Sequence, residues 1–251
     1  EFSIYLCSVF PLEMKRKRKL HFNKIEKRMM TEHGKDASQR VELRERIITA
    51  ATEAFTSKGI KSITMDDIAT SLGISKRTLY EVFSDKETLL EECILKGQKE
   101  GDEFLKNVLA TSGNVLEVLL KCYQRSIEQF HATNKKFFED IKKYPKAYAL
   151  MTNRHNQDSE ETVNFFKEGV KQGIFRDDVN FAIINLLVRE QIDVLMNTDI
   201  CKEYSFLEVY ESIMFTFLRG ISTEQGAHEL EAFIREYRKK VLPADNDTKT
   251  K

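Results

Sequence analysis

The stretch DDIATSLGISKRTLYEVFSDKETLL, residues 66–90, decides the fold of this chain. It contains two short segments of helix-forming residues with Gly73 between them. Inside one continuous helix a glycine would cost about 1 kcal/mol relative to alanine, so Gly73 indicates a turn between two helices. The second segment opens with Lys76, Arg77 and Thr78. The stretch therefore predicts two short helices joined by a tight turn, with a cationic end on the second.

Capping residues indicate where these helices begin. Thr64 is predicted to cap a helix over residues 65–72, whose first turn is acidic, as the helix dipole favours. Ser75 is predicted to cap a second helix over residues 76–83. Ser84, followed three residues later by a glutamate, predicts a capping box at the start of a third, longer helix.

The residues around the turn are those that a helix-turn-helix unit requires. Ala69 is small where the two helices approach, and Gly73 supplies the positive φ of a short turn. Ile74 fills the corner between the helices, and Leu79 faces the core. Each residue type has a steric reason, so the spacing predicts a helix-turn-helix.

The second helix of this unit exposes a face suited to DNA. A recognition helix presents its N-terminal end to the major groove, and here that end carries Ser75, Lys76 and Arg77. Arginine and lysine suit guanine edges, and hydroxyls suit phosphates. Lys86, at the start of the next helix, is predicted to add a phosphate contact. The alternative is a structural helical corner with an ordinary charged face.

Residues 46–90, RIITAATEAFTSKGIKSITMDDIATSLGISKRTLYEVFSDKETLL, resemble the DNA-binding domain of the tetracycline-repressor (TetR) family of bacterial transcriptional regulators. The shared features are a first helix ending in AF…KGI, then T…DIA…LGIS, then LY.VF.DKE.LL. The resemblance implies a homodimer that binds a palindromic operator in double-stranded DNA, with a variable ligand-binding domain. By motif position it implies phosphate contacts from Thr64, Tyr80 and Lys86, base contacts from Lys76, Arg77 and Thr78, and structural roles for Leu79 and Phe83.

The composition limits the other functional classes. The 251 residues carry 40 basic and 40 acidic side chains, so any basic surface is local rather than global. Four scattered cysteines without a CxxC pair indicate reduced thiols and a cytoplasmic protein. The five histidines lack metal-ligand spacing, and no GxSxG, P-loop or catalytic Cys/His set is present. We therefore expect no metal, no cofactor, no membrane association and no enzymatic activity.

The pattern along the chain predicts an all-α protein in four parts. Residues 1–38 are expected to be a disordered basic extension, in which the residues before Met14 or Met30 belong to upstream translation or a cloning remnant. The helix-turn-helix domain is predicted over residues 39–86 and a larger helical regulatory and dimerisation domain over 87–242. A polar tail covers residues 243–251. A helix before the helix-turn-helix is predicted to end at Lys58-Gly59, and the helix that follows Ser84 is predicted to reach about Leu109. The later helices are predicted to span residues 115–131, 135–144, 146–172, 179–197, 205–221 and 224–241.

Two long apolar helices near the C-terminus are predicted to form the dimer interface. The apolar faces of these helices are expected to pack against the same faces of a second subunit, which forms a four-helix bundle across a two-fold axis. The alternative is that these faces pack inside the monomer. The predicted interface residues are Phe181, Ile184, Val188, Ile192, Phe206, Val209, Ile213 and Phe217.

An effector pocket is expected among the central helices. Aromatic side chains are its candidates, although at helical spacing they are also typical of core. They are Phe104, Tyr123, Phe130, Phe137, Tyr148 and Phe166.

The sequence therefore predicts a DNA-binding transcriptional regulator. Its most favoured form is a dimeric repressor that a small-molecule effector releases from its operator. The alternative is a DNA-binding regulator without a small ligand, controlled by a protein partner or by its own abundance.

Overall fold

The computed structural model describes residues 34–152 and 160–241. Within them it has eleven α-helices, one 3-10 helix (Asp199–Lys202) and an isolated bridge between Phe175 and Ser222. The predicted all-α class is confirmed. Most of the predicted basic extension and the whole polar tail lie outside the described residues. The helices are α1 (Gly34–Lys58), α2 (Met65–Ser71), α3 (Lys76–Val82), α4 (Lys86–Thr111), α5 (Val115–Ala132), α6 (Lys135–Ile141), α7 (Pro145–Thr152), α8 (Glu160–Lys171), α9 (Phe181–Asn197), α10 (Phe206–Ile221) and α11 (Glu224–Val241).

Two of the predicted helix boundaries are wrong. The first helix begins at Gly34, whereas the helix-turn-helix domain is predicted to begin at residue 39. The predicted helix over 135–144 ends at Ile141, and Pro145 begins α7, because the missing N–H of proline costs nothing in the first turn of a helix. Within the predicted helix over 146–172 the structure describes α7 and α8, and residues 153–159 between them lie outside the described part.

The described residues form two compact units. The first contains residues 34–107 and 123–152, and the second contains residues 108–122 and 160–241. The first unit therefore includes α6 and α7 as well as the helix-turn-helix, and extends beyond the predicted segment 39–86.

The core of the first unit joins the helix-turn-helix to α6. Phe55 of α1, Ile68 of α2 and Leu79 of α3 are fully or almost fully buried in one apolar cluster. Phe137 and Ile141 of α6 belong to the same cluster. Burial of such side chains stabilises a fold by about 1.5–3 kcal/mol each, so α6 helps to hold the three N-terminal helices together.

The second unit is built around stacked aromatic rings. Phe166 of α8 stacks on Phe181 of α9 with ring centroids 5.2 Å apart, and it meets Phe217 of α10 edge to face at 5.9 Å. Gly169 lets Phe175 approach α8, because a Cβ atom at this glycine would collide with the ring. This aromatic core fixes the inward faces of α9 and α10.

No helix in the described residues is long and apolar enough to cross a lipid bilayer.

Candidate nucleic-acid interface

A capping box begins α2. The Thr64 hydroxyl accepts the Asp67 backbone N–H at 3.1 Å, and the Asp67 carboxylate accepts the Thr64 N–H at 2.8 Å. The Thr64 hydroxyl also donates to the Asp67 carboxylate at 2.6 Å. The pKa of Asp67 lies below its usual value, mainly because of the hydrogen bond from the Thr64 hydroxyl and secondly because of the one from the Thr64 backbone N–H. The threonine predicted from the sequence as a cap is therefore confirmed in that role.

The turn between α2 and α3 has the geometry that the sequence predicts. Gly73 has a φ of 65°, which costs a side-chain-bearing residue about 1–2 kcal/mol. Ile74 donates its N–H to the Ala69 carbonyl at 3.1 Å and packs against the core. Ala69 is buried between the helices. A larger residue at position 69 would disturb the approach of α2 and α3, whereas at position 73 the space is open and only the positive φ restricts the residue type.

Ser75 caps α3 and organises its first turn. Its hydroxyl accepts the Thr78 N–H at 3.0 Å and lies 2.8 Å from the Thr78 hydroxyl. Leu79 and Phe83 are buried, which anchors the opposite face of the helix. Since α3 is fixed from behind, the side chains on its outer face are presented to solvent in a defined orientation.

The outer face of α3 carries two ion-paired cations. Lys76 Nζ lies 2.9 Å from Asp66 Oδ2, and Arg77 Nε lies 2.9 Å from Glu81 Oε1. The Arg77 side chain is nonetheless 89% exposed, and Tyr80 is 42% exposed. The hydrogen bond from Lys76 to Asp66 raises the pKa of Lys76, so this ammonium remains charged at neutral pH. Both cations are accessible to a polyanion that displaces their carboxylate partners.

Lys86 does not extend toward solvent as the phosphate-contact prediction requires. Its ammonium group donates to the carbonyls of Ile60 and Ile63 in the loop between α1 and α2. It also lies 5.7 Å from the centroid of the Phe55 ring. Burial lowers the pKa of Lys86, as removal of an ammonium from water does. In this structure Lys86 holds the loop that precedes α2.

Asp85, not Ser84, provides the cap at the start of α4. The helix begins at Lys86, and Asp85 Oδ1 accepts the Thr88 N–H at 2.7 Å. This backbone hydrogen bond is the main reason why the pKa of Asp85 is lowered. The Ser84 hydroxyl donates to the Asp85 carboxylate at 3.0 Å. The predicted cap is therefore displaced by one residue, and the hydrogen bonds of the described residues show a simple aspartate cap in place of the predicted capping box.

The start of α6 holds the end of α1. Asn134 donates its backbone N–H to the Thr56 carbonyl at 2.7 Å and its side-chain amide to the Ser57 carbonyl at 3.0 Å. Asp140 Oδ2 accepts the Lys61 N–H at 2.7 Å. The carbonyls in the last turn of a helix have no hydrogen-bond donor within that helix. Asn134 therefore supplies donors to the last carbonyls of α1. Sequence reasoning missed these contacts, because they join residues far apart in the chain.

Comparisons with known proteins agree with this geometry. Residues 47–93 match the family described as bacterial regulatory proteins, tetR family. Over 158 residues the chain is 27% identical to the HTH-type transcriptional repressor KstR2 of Mycolicibacterium smegmatis, covering 61% of this chain and 77% of that protein. Residues 47–93 are therefore similar to the DNA-binding segment of tetR-family regulatory proteins, and the longer match is to a transcriptional repressor with a helix-turn-helix.

A second relative and a solved structure are also similar to this chain. The chain is 26% identical over 171 residues to the HTH-type transcriptional regulator UidR of Escherichia coli, covering 66% of this chain and 87% of that protein. The crystal structure of a TetR-family transcriptional regulator from Marinobacter aquaeolei VT8 has the same fold. Its TM-score is 0.54 at 20% identity, over 77% of this chain and 98% of that one.

The predicted dimer stripe faces largely inward. Phe181, Val188, Ile192 and Phe217 are buried in the second unit, so these four side chains belong to its core. Ile184, Phe206, Val209 and Ile213 are half-buried. The exposed apolar residues of α9 lie on another face of the helix, and they are Ile183, Leu186, Leu187 and Val194. Helical spacing identified an apolar helix but not which face a partner would cover.

The six predicted pocket residues do not gather around one cavity. Phe166 lies in the aromatic core of the second unit, whereas the other five belong to the first. Tyr123 is buried, Phe130 stacks on Phe138 at 6.2 Å, and Tyr148 is half-buried against the core. The Phe104 ring lies under the Arg125 guanidinium at 4.4 Å. Of the six, only Phe137 lines the cavity between α1, α4, α5 and α6 in the first unit.

Proposed function

We propose that this chain is a dimeric transcriptional repressor that reads its operator with the N-terminal end of α3. The carrying observation is the arrangement of this helix. Leu79 anchors it from behind, Ser75 caps it, and Lys76 and Arg77 stand exposed at its N-terminal end. A helix held in this way inserts its first turn into the major groove of DNA.

The proposed base contacts come from Lys76, Arg77 and Thr78. Arg77 is the most exposed of these and suits the O6 and N7 acceptors of guanine. Lys76 and Arg77 exchange Asp66 and Glu81 for DNA when the complex forms. Because these pairs are exposed, the exchange costs little free energy.

The proposed phosphate contacts come from Thr64, Ser75 and Tyr80. All three carry hydroxyls at the exposed edge of the helix-turn-helix. We assign Lys86 a positioning role instead, since its ammonium holds the carbonyls of Ile60 and Ile63. It would meet a phosphate only after it leaves those carbonyls.

We infer that the second unit forms the homodimer through the exposed faces of α9 and α10. Leu187 is 51% exposed and belongs to a stripe with Ile183, Leu186 and Val194. On α10, the half-buried Val209 and Ile213 are the predicted interface residues available to a partner. An isologous contact of these helices would place the two α3 helices of the dimer in the half-sites of a palindromic operator, which lie about 34–36 Å apart.

We propose that the protein acts in the cytoplasm and that a small-molecule effector releases it from its operator. An effector that binds a conformer with the wrong spacing of the α3 helices would lower DNA affinity by its preference for that conformer. The hydrogen bonds from Asn134 to the end of α1 support a mechanical link between α6 and the DNA-binding helices. Control by a protein partner or by abundance is the alternative, and it predicts that no small molecule changes DNA binding.

A titration of the full chain against the DNA upstream of its own gene tests this function. Random-sequence DNA is the competitor, and the salt concentration is varied. A repressor gives a discrete complex at nanomolar protein that survives the competitor. Weak binding that is equal for both DNAs and falls steeply with salt would contradict specific reading.

A further inference from the structure

The first unit contains a partly open cavity of about 250 Å³ between α1, α4, α5 and α6. Its apolar lining includes Phe55 of α1, Leu90 and Ile94 of α4, and Phe137 of α6. Gly97 and Gly101 of α4 also line it, and a Cβ atom at either position would meet no atom within 4 Å. The volume is just below the roughly 300–1,000 Å³ typical of ligand pockets, so an occupant would be small.

One cation in this lining has no carboxylate partner. Arg125 of α5 is half-buried, its guanidinium stacks on the Phe104 ring, and it forms no salt bridge with any described residue. The side-chain amide of Gln129, one turn further along α5, has no hydrogen-bond partner within the described parts of the chain. The hydroxyls of Thr52 and Thr56 are already engaged, since each donates to a helix carbonyl at 2.8 Å. Arg125 and Gln129 are therefore the polar groups available to an occupant.

The cavity lining has two other ionisable groups, Glu100 and Cys93, and neither forms an ion pair with Arg125. Glu100 is exposed and forms no salt bridge with a described residue. Burial raises the pKa of Cys93 to about 12, so this thiol is neutral. A planar guanidinium binds a carboxylate through two parallel hydrogen bonds. The chemistry of the cavity therefore favours an anionic head group near Arg125 and an apolar body over Phe55 and Phe137.

We propose that this cavity binds a small carboxylate with an apolar or aromatic body, which pairs with Arg125 and acts as the effector. This inference rests on the proposed function, since it assigns the site and chemical class of the regulating ligand. It replaces the aromatic pocket expected from the sequence.

The position of the cavity gives the ligand a route to the DNA-binding helices. Thr56 of α1 lines the cavity, and its carbonyl accepts the Asn134 N–H at 2.7 Å. Thr133, the neighbour of Asn134, also lines the cavity. An occupant therefore touches both sides of the junction that ties α1 to α6. A ligand that prefers one separation of these helices shifts the protein toward conformers with that separation.

Direct binding to the full chain without DNA tests the site. The probes are phenylacetate and octanoate, with phenylacetamide and octanamide as neutral analogues, and phenethylamine as a cationic one. We expect at least one carboxylate to bind at least about tenfold more tightly than its amide, the ratio typical of a charge-assisted hydrogen bond. Equal binding of acid and amide, tighter binding of the amine, or no binding of either acid at about 10 mM would overturn the proposal.

Three variants locate the binding to this cavity. Arg125→Gln should weaken carboxylate binding at least about tenfold, whereas Lys121→Gln, a cation four residues earlier in α5 that pairs with Glu117, should leave it unchanged. Gly97→Leu should fill the cavity and abolish binding without lowering the melting temperature of the ligand-free protein, because space is open at this glycine. Equal losses in Arg125→Gln and Lys121→Gln, or normal binding in a folded Gly97→Leu, would overturn the site.

DNA binding is measured separately, so the two proposals fail in different ways. If the protein binds specific DNA but none of the acids, the effector site is wrong and the regulator assignment stands. If the acids bind through Arg125 but specific DNA does not bind, the proposed repressor is wrong. If both bind, the bound acid should lower DNA affinity in the wild type but not in Gly97→Leu.

Discussion

Lys76 Nζ of α3 and Asp66 Oδ2 of α2 lie 2.9 Å apart, so an ion pair joins the two helices of the helix-turn-helix unit. Both side chains are more than half exposed. The pair lies at the end of α3 that we propose enters the major groove. Asp66 therefore competes with DNA for Lys76.

Asp66→Asn should raise DNA affinity about fivefold, the effect of removing one unit charge at contact distance in water. The gain should appear on specific and random DNA alike, because Asp66 acts through charge. Asp177→Asn, an exposed acid of the second unit, removes the same charge as a control. Fluorescence anisotropy titrations at one salt concentration measure the difference. An unchanged affinity for Asp66→Asn would show that Lys76 does not contact DNA.

Arg77→Ala should cost about 1–3 kcal/mol of binding free energy on the cognate operator and much less on random DNA. The arginine side chain has only Glu81 as an ion-pair partner among the described residues, so its loss should leave the fold intact. The melting temperature of the variant is the control for folding. Equal losses on both DNAs would make Arg77 a phosphate contact instead of a base-reading residue.

Lys86→Met should destabilise the first unit by about 1–3 kcal/mol, because the carbonyls of Ile60 and Ile63 lose a charged donor. Urea unfolding measures this change. A direct phosphate contact makes a different prediction. It leaves the free energy of unfolding unchanged and reduces the slope of log affinity against log salt by about one. That second pattern would restore the phosphate role predicted from the sequence.

Leu187→Glu should split the proposed homodimer, because it places a charge in the exposed stripe of α9. Val41→Glu changes an apolar residue of α1 that is also about half exposed, and it should leave the dimer intact. Sedimentation velocity at micromolar protein measures the oligomeric state. A Leu187→Glu protein that sediments like the wild type would contradict the proposed interface.

Asp85 should make α4 sensitive to acid. Its pKa is lowered in the folded protein by the Thr88 N–H, so its stabilising contribution is complete above the ordinary aspartate pKa near 3.8 and is lost as the pH falls through the lower folded value. Asparagine caps helices equally well but does not titrate in this range. Asp85→Asn should therefore lose less stability than the wild type between pH 5 and pH 3 in urea unfolding. Equal losses in the two proteins would contradict the cap.

The helix-turn-helix could be predicted from the sequence because its determinants are local. Thr64 and Ser75 cap helices that begin at the next residue, and Gly73 has the positive φ that the turn requires. Each of these residues acts within a few positions along the chain. Ser84 was the exception, since Asp85 beside it is also a good cap and a shift of one residue leaves the pattern almost unchanged.

The tertiary features could not be predicted in the same way. An apolar stripe on α9 has the same spacing whether Val188 packs inside the protomer or against a partner. Lys86 looks like a solvent-exposed cation in the sequence, but it turns toward the carbonyl of Ile60, which lies 26 residues earlier. The cavity is lined by α1 as well as α4, α5 and α6, and its cation, Arg125, lies in α5, where the pocket residues predicted from the sequence are aromatic.

Selection from random-sequence duplex DNA with the full chain tests the central claim most directly, because it does not require the operator to be known. The account predicts enrichment of one two-fold symmetric motif, with half-sites about one helical turn apart. The motif should change or disappear with Arg77→Ala. Pools that show no enriched motif after repeated rounds with a folded protein, or a motif that Arg77→Ala leaves intact, would contradict the claim that α3 reads the operator.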